Sequence, residues 1–330
     1  MVTSENNSEQ GISRRRLLTS ALAVGGLSVG LAGLPAGAQA ASPSAGSATR
    51  RAARAAARGA ETWENIIEKT SFNSWTAFDQ VWARNYPSTF GDVTTHNGAA
   101  KMLDSQVSLS GGVLTLTATR LSQPAGTSSH PPKAPLWWNS GAIHAKQQIV
   151  INDQFPEYDI EGEFRTDTGP GIWPAFWLTG VDVWPPETDI LEYVGQDGAY
   201  PQNLFNTWNA TSTGDDREFE DSGNYVTRTT EQTTAETDPR SKFIKYRVWM
   251  YKDGNDVRLE YSFGGNWVAD HLGKGWAGIP MWLIINLQMG TYASGLDDES
   301  SPGWADQLPG PTGNTYFRAQ NVWVGRTRAY

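Results

Sequence analysis

Three carboxylates stand close together in the sequence: Glu187, Asp189 and Glu192. In a β-strand, side chains two residues apart point to the same face, so Glu187 and Asp189 share a face. Glu192 has the opposite parity, and Ile190 and Leu191 cannot both enter the core from a regular strand. A single β-bulge between Asp189 and Glu192 removes both difficulties. The spacing therefore predicts a bulged strand with three acids on one surface of a sheet.

Such a row of acids is costly, because like charges held close together cannot all ionise freely and at least one pKa must rise. Glycoside hydrolysis requires this arrangement: one ionised carboxylate attacks the anomeric carbon, and one protonated carboxyl group protonates the leaving oxygen. Two structural interpretations stay open on the acid pattern alone. The acids could form a solvated strand edge, or one could ligate calcium while the others form salt bridges.

After residue 60, short runs of β-branched and aromatic residues alternate with Gly, Pro, Asn and Asp. The predicted strands are Gln106–Ser110, Val113–Thr119, Gly141–Val150, Tyr158–Thr166, Trp173–Leu178, Thr188–Tyr193, Asn203–Trp208, Ile244–Tyr251, Val257–Phe263, Met281–Met289 and Phe317–Gly325. Leu114, Leu116 and Ala118 are predicted to share the core face of one strand. About a dozen strands with little helix predict an all-β sandwich of two antiparallel sheets.

The connections between these strands are also informative. Ser110–Gly112 and Lys252–Asp256 are predicted hairpin turns, because Gly and Asn tolerate positive φ. Thr211–Arg240 is the best candidate for a linker between two domains, but its composition favours a long loop that interrupts one sheet.

The amino-acid composition argues against several classes of function. The chain has 330 residues, 38% of them hydrophobic, and a formal net charge of −9. Seven arginines and two glutamates precede residue 61, so residues 61–330 carry 19 basic and 33 acidic groups, a net charge of −14. Such an acidic domain repels phosphate backbones, which argues against a nucleic-acid partner. The absence of cysteine excludes thiol chemistry, disulfides and Cys-ligated zinc.

Residues 1–40 resemble a bacterial twin-arginine export signal. Arg14–Arg16 precede an apolar run over Leu17–Leu34, and Ala38–Ala40 supplies the small-x-small pattern that a signal peptidase accepts. A transmembrane anchor is the alternative, because the run is just long enough to span a bilayer. Residues 41–60 are interpreted as an Ala/Arg-rich linker or pro-segment, and residues 61–330 as the catalytic domain. We expect a secreted, extracellular protein that leaves the membrane after signal cleavage.

Segments around the acid cluster resemble a known family. Glu187-x-Asp189-x-x-Glu192 resembles the active-site signature of glycoside hydrolase family 16, which includes laminarinases, lichenases, agarases and κ-carrageenases. The matching segments, in the family's order, are Trp138–Ile143, Glu161–Arg165 and Gly171–Leu178 before the signature and Pro280–Leu287 after it. The similarity covers nearly the whole chain after the predicted linker.

The resemblance implies a concanavalin A-like β-jelly roll whose concave sheet forms a sugar-binding cleft. It implies retention of anomeric configuration, with Glu187 as nucleophile, Glu192 as general acid/base and Asp189 as the carboxylate that supports the nucleophile and the proton balance. No cofactor is expected for catalysis. A structural calcium is common in the family, and no ligands for it are assigned in this sequence. The expected partner is a polysaccharide, and the expected state is a monomer.

Aromatic side chains are the natural sugar platforms, because sugar rings have apolar faces and polar edges. The candidate substrate-binding residues are Trp138, Arg165, Trp173, Trp184, Trp208 and Gln288. Trp138, Trp184 and Trp208 are the preferred platforms because they lie beside turn or loop signals. Arg165 matches a family arginine on the cleft face. For each tryptophan the alternative is burial in the core, and for Arg165 it is a salt bridge to a neighbouring acid.

The sequence departs from the family pattern in two places. Many members carry a His on the strand after the signature, whereas Leu204–Asn209 contains none, and the glycine-rich turn near Gly290–Gly295 is altered. These differences leave the chemistry intact and bear on the substrate. The expected activity is hydrolysis of a β-1,3-glucan of the laminarin type, with an agar-type β-galactan as the rival. A transglycosylase and a non-catalytic lectin-like module are the alternatives, and the three intact acids argue against the lectin.

Overall fold

A computed structural model describes residues 61–210, 224–296, 299–301 and 308–329. The expected export signal (residues 1–40) and linker (residues 41–60) lie outside these ranges and stay predictions. Within the described ranges, no helix combines the length and the apolar character needed to cross a membrane.

The described residues form strands with little else. In chain order the strands are β1 (Glu61–Ile67), β2 (Trp82–Arg84), β3 (Ala100–Met102), β4 (Val107–Ser110), β5 (Val113–Arg120), β6 (Trp138–Ser140), β7 (Ala142–Ala145), β8 (Glu157–Thr166), β9 (Ile172–Gly180), β10 (Glu187–Glu192), β11 (Gln202–Ala210), β12 (Asn224–Gln232), β13 (Ile244–Asp253), β14 (Asp256–Phe263), β15 (Asn266–Gly273), β16 (Met281–Met289) and β17 (Thr315–Ala329). In these ranges the helical elements are α1 (Trp75–Val81) and the 3₁₀ turns Ser88–Phe90, Asp104–Gln106 and Thr291–Ser294.

The strands form two sheets. The larger has ten strands in the order β15-β14-β13-β8-β17-β5-β6-β3, with β1 added beside β17 and β4 beside β5. The smaller has seven, in the order β12-β11-β10-β9-β16-β7-β2. Pairing among the described strands is antiparallel except between β3 and β6. This sandwich confirms the predicted all-β jelly roll of two antiparallel sheets.

The hydrophobic core lies between the two sheets. On β5, Leu114, Leu116 and Ala118 are fully buried, and the residues between them are partly exposed, as the alternation predicts. On β9 every residue is buried. Phe176 and Leu178 belong to the core, and the other face of β9 lines the cleft described below.

The predicted hairpin turns are confirmed. Gly111 and Gly112 adopt φ values of 59° and 78° between β4 and β5, and Gly254 adopts 65° between β13 and β14. The prediction of a long loop over Thr211–Arg240 is wrong for residues 224–232, which form β12 and pair with β11 along the whole length of β12. Polar residues occupy both faces in the second half of β12, so it shows no apolar period.

Candidate active site

The carboxylates lie on β10, and a bulge aligns them. The register of β10 with β9 shifts between Asp189 and Leu191, so β10 holds one extra residue there. Ile190 and Leu191 are consequently both fully buried. Glu192 returns to the face of Glu187 and Asp189, and the three acids line one cleft. The predicted bulge is confirmed.

A side chain from β11 holds this bulge. The ladder between β10 and β11 covers only residues 187–189, so the backbone beyond Asp189 needs other partners. The Asn203 side chain supplies them: its Oδ1 accepts from the Glu192 backbone N–H at 3.1 Å, and its Nδ2 donates to the Ile190 carbonyl at 3.3 Å. Asn203 is fully buried. Asn203 is not among the site residues predicted from the sequence.

Two tryptophans donate hydrogen bonds to the outer acids. The Trp184 indole N–H donates to Glu187 Oε2 at 2.9 Å, and the Trp173 indole N–H donates to Glu192 Oε1 at 2.9 Å. Both glutamates are more than nine-tenths buried. The two indole N–H groups therefore fix the orientation of the two acids.

A row of polar side chains crosses the neighbouring strands. Asn206 on β11 pairs with Asp189, and Arg228 on β12 pairs with Asn206. Asn206 Nδ2 donates to Asp189 Oδ2 at 3.0 Å and to Glu192 Oε2 at 2.7 Å. Arg228 Nε donates to Asn206 Oδ1 at 3.0 Å. Asn206 lies in the stretch where many family members carry His, and the sequence analysis did not select it or Arg228.

The cleft extends to both sides of the acids. Trp173 and the three carboxylates line both halves. One half adds Tyr86, His96, Asn97, Ala175, Trp177, Asn286 and Gln288, and the other adds Val194, Leu204, Asn206, Trp208, Arg228 and Tyr292. Aromatic and hydrogen-bonding groups in each half can contact sugar units on both sides of a cleaved bond, as an endo-acting enzyme requires.

Three of the predicted sugar-binding tryptophans lie at this cleft. Trp173 and Trp208 line it, and Trp184 contacts Glu187 as described. Trp208 pairs with Glu187 across the strands, and its ring centre lies 5.6 Å from that of Trp184. These two rings form an aromatic patch beside Glu187.

Gln288 also lines the cleft, but most of the hydrogen-bonding capacity of its side-chain amide is taken up by neighbouring groups of the protein. Its Oε1 accepts from the backbone N–H groups of Ala100 and Met289, and its Nε2 donates to Tyr86 Oη at 3.2 Å. Burial raises the pKa of Tyr86, which keeps the phenol neutral. A Cβ at Gly98 would lie 2.1 Å from Gln288 Cδ, so any larger residue there would displace the Gln288 side chain. Gln288 therefore supports the cleft wall.

Two predicted sugar-binding residues lie elsewhere, and the prediction is wrong for both. Trp138 is fully buried on β6, with the Arg120 guanidinium 4.1 Å from its ring centre, so it has no face to offer a sugar. Arg165 lies on β8 of the larger sheet, where it pairs with Arg318, and it is partly exposed on the face opposite the core residue Phe164. A local pattern does not specify which sheet a strand joins.

Beneath the acids, a buried polar chain connects the strands. Tyr261 Oη lies 2.6 Å from Thr188 Oγ1 and 2.8 Å from Thr207 Oγ1. His271 bonds Thr207 through Nδ1 and Thr229 through Nε2. Burial lowers the pKa of His271 to about 4, so the imidazole is neutral near pH 7. These hydrogen-bonded side chains link β10, β11 and β12 to the larger sheet and limit the movement of β10, which carries the acids.

The three acids are surrounded by hydrogen-bond donors. Indole N–H groups contact Glu187 and Glu192, and the Asn206 amide contacts Asp189 and Glu192. In the part of the chain that the structure describes, no group of three or more His, Asp or Glu side chains is arranged to hold a metal ion. N–H donors suit carboxylates that attack or exchange protons.

Comparison with known proteins decides the family. The fold matches the laminarinase catalytic domain of Thermotoga petrophila RKU-1 (TM-score 0.52, 16% identity, 81% of this chain and 98% of that chain). It also matches the κ-carrageenase of Pseudoalteromonas carrageenovora (TM-score 0.51, 17% identity, 82% and 97%). No protein-family model matches the sequence. The galactan endo-β-1,3-galactanase of Flammulina velutipes is 35% identical over 256 residues, which cover 77% of this chain and 88% of that protein.

The chain belongs to glycoside hydrolase family 16. The family 16 protein is accordingly a glycoside hydrolase, an endo-β-glycosidase whose substrates are β-linked polysaccharides. The lectin-like alternative is set aside. A second relative, the endo-1,3-1,4-β-glycanase EglC of Rhizobium meliloti, is 27% identical over 197 residues; these cover 56% of this chain and 34% of that protein.

Proposed function

We propose that this family 16 enzyme is a retaining endo-β-1,3-galactanase. The relationship to the Flammulina velutipes galactanase, at 35% identity over 77% of the chain, carries the choice of substrate. The substrate predicted from the sequence was a β-1,3-glucan, with an agar-type β-galactan as the rival. A β-1,3-galactan is proposed in their place, because the likeness to the laminarinase lies at 16% identity and concerns the fold alone.

The proposed mechanism assigns the first half-reaction to the outer acids. Glu187 attacks the anomeric carbon and forms a covalent glycosyl-enzyme, while Glu192 protonates the leaving oxygen. The indole N–H of Trp184 on Glu187 and that of Trp173 on Glu192 hold the two carboxyl groups in place. Fixed orientation lowers the entropic cost of reaching the transition state.

In the second half-reaction, Glu192 acts as the base. It takes a proton from a water molecule whose oxygen attacks the anomeric carbon and displaces Glu187, so the product keeps its configuration. Asp189 contributes its negative charge between the two other acids and favours the protonated form of Glu192 in the free enzyme. A sugar hydroxyl in place of water would give transglycosylation by the same route.

A panel of polysaccharides tests the substrate. Linear β-1,3-galactan, laminarin, lichenan, agarose and carrageenan are incubated separately, and products are separated by size. We expect galacto-oligosaccharides of several lengths from the galactan, with kcat/KM at least about tenfold above that for laminarin. A preference for laminarin would identify a β-1,3-glucanase instead. In a parallel incubation with a short oligosaccharide of the preferred glycan, products longer than that oligosaccharide would identify a transglycosylase.

We also propose that residues 1–40 direct export by the twin-arginine route, that residues 41–60 are a linker or pro-segment, and that residues 61–330 are the catalytic domain. Arg14 and Arg15 before the apolar run support this. Replacing both with lysine should stop secretion in a bacterial host and leave folded, active protein in the cytoplasm. Unchanged secretion would point to the general secretory route.

We propose further that the enzyme acts as a monomer without a cofactor in its chemistry. One chain supplies the three acids and both halves of the cleft. Light scattering during size-exclusion chromatography should give the mass of one chain. A stable dimer would contradict the proposed monomer.

A further inference from the structure

We propose that Asn206 and Arg228 form a positioning pair that holds Glu192 in its reactive orientation in both half-reactions. This inference rests on the roles proposed above for Glu187 and Glu192. It concerns how the active site keeps a buried acid aligned while that acid loses and regains a proton.

Strand register brings the pair to the acids. Asp189, Asn206 and Arg228 are consecutive cross-strand partners on β10, β11 and β12. Directly opposite residues on neighbouring strands share a face of the sheet. The bulge then brings Glu192 within reach of the same asparagine, which is 2% exposed.

Hydrogen-bond chemistry fixes the direction of the Asn206 amide. A guanidinium group has only donors, so the Arg228 Nε–H can contact only the amide oxygen, at 3.0 Å. The amide nitrogen must then face the acids, where it donates to Asp189 at 3.0 Å and to Glu192 at 2.7 Å. Both carboxyl oxygens that it contacts accept hydrogen bonds in either protonation state of the acid.

Arg228 has one evident task in this arrangement. Among the described residues, the guanidinium group of Arg228 makes its hydrogen bond to Asn206 Oδ1 and forms no salt bridge. It lines the same half of the cleft as Trp208. Arg228 therefore acts on the acids through Asn206.

The consequence for catalysis follows from the proton balance. In the first step the Glu192 proton moves to the glycosidic oxygen as the C–O bond breaks and the bond to Glu187 forms. In the second step a water proton moves to Glu192 as the water oxygen bonds the anomeric carbon and Glu187 leaves. Trp173 on Oε1 and Asn206 on Oε2 hold the Glu192 carboxyl plane throughout. A neutral amide does not titrate, so this support is independent of pH.

The test compares Asn206→Ala, Arg228→Met and the double variant with Asn209→Ala. Asn209 is the matched control: it is a fully buried asparagine on the same strand, bonded to Leu272 and Lys274 away from the acids. On the β-glycan that wild type cleaves fastest, we expect Asn206→Ala to lower kcat about 10- to 100-fold, the loss typical of hydrogen bonds to charged groups, with KM changed less than about threefold. Asn209→Ala should stay within about threefold of wild type.

Non-additivity separates positioning from independent effects. Because Arg228 works through Asn206, the double variant should resemble Asn206→Ala alone. A dinitrophenyl glycoside supplies a second readout, because its leaving group departs without a proton. The rate of dinitrophenol release in the first turnover should fall several-fold less in Asn206→Ala than the rate on polysaccharide. Additive losses, or equal losses on both substrates, would overturn the proposal.

A last comparison distinguishes failure of this inference from failure of the proposed roles. If Glu192→Gln retains the wild-type rate on polysaccharide, Glu192 is not the acid/base, and Asn206 and Arg228 have no catalytic acid to position. If Glu192→Gln is inactive but Asn206→Ala is as active as Asn209→Ala, the assignment stands and the positioning pair is wrong. The polysaccharide used is whichever one wild type cleaves, so the result does not depend on the galactan assignment.

Discussion

Replacing Asn203 with alanine tests whether the bulge in β10 is what aims Glu192 at the substrate. The Asn203 side chain is the partner of two backbone groups at the bulge, the Glu192 N–H and the Ile190 carbonyl. Alanine leaves both groups buried without this partner. Without these two hydrogen bonds the backbone at the bulge relaxes, and the side chain of Glu192 moves with it.

The magnitude follows from these two contacts. A buried backbone group that loses its partner costs about 1–3 kcal/mol, so the two together should lower the free energy of unfolding by about 2–6 kcal/mol. At about 2 °C per kcal/mol for a domain of this size, that corresponds to a fall in Tm of roughly 4–12 °C. A displacement of the acid/base by even a fraction of an ångström should lower kcat by about tenfold or more.

The assay pairs calorimetry with kinetics on Asn203→Ala and Asn209→Ala. Asn209 is buried on the same strand, and its side chain also bonds two backbone groups, the Leu272 carbonyl and the Lys274 N–H. The two variants should therefore lose similar stability. Measured well below both Tm values, kcat should fall only in Asn203→Ala. Equal kcat in the two variants at equal loss of Tm would refute the role of Asn203 in aiming Glu192.

Four further outcomes are expected. Glu187→Gln should lower kcat by about a thousandfold or more without unfolding the protein, and azide should restore part of the activity of Glu187→Ala; activity within tenfold of wild type would exclude Glu187 as nucleophile. Asp189→Asn removes a negative charge near Glu192, so the alkaline limb of the kcat/KM profile should move to lower pH; an unmoved limb would mean that Asp189 does not influence Glu192. Burial lowers the pKa of His271 to about 4 from 6.5. As the pH falls from 6.5 towards 4, the unfolded state therefore takes up a proton on His271 before the folded state does, and the free energy of unfolding declines. His271→Gln should show a smaller loss of Tm between pH 7 and 4.5 than wild type, and an equal loss would contradict this. EDTA should leave kcat unchanged, and a fall in Tm with EDTA would reveal a structural calcium.

The acid cluster was predictable because two constraints both required a bulge between Asp189 and Glu192. The apolar side chains of Ile190 and Leu191 must both be buried in the core, and Glu192 must point to the same face as Asp189. One extra residue in β10 satisfies both constraints. The core strands were predictable from the alternation of apolar and polar residues. In β5, Leu114, Leu116 and Ala118 must all face the core because alternate side chains of a strand share a face.

The residues that the prediction missed depend on contacts between different strands. Asn203, Asn206 and Arg228 interact with the acids only through the registers of β10, β11 and β12, and β12 itself has too few apolar residues to be predicted. The asparagines at 203, 206 and 209, beside the apolar Leu204, Phe205 and Trp208, were the available signal, because buried asparagines need partners. Trp138 and Arg165 were misplaced because local sequence does not specify which sheet a residue faces.

Trapping the covalent intermediate tests the central claim, that Glu187 is the nucleophile of a retaining glycosidase. An oligosaccharide matched to the preferred substrate, with a 2-deoxy-2-fluoro sugar and a good leaving group, slows the second step more than the first. Intact-protein mass spectrometry should show one added glycosyl unit, and peptide mapping should place it on Glu187. An adduct on Asp189 or Glu192, or no adduct together with an inverted anomeric product by NMR, would contradict the mechanism.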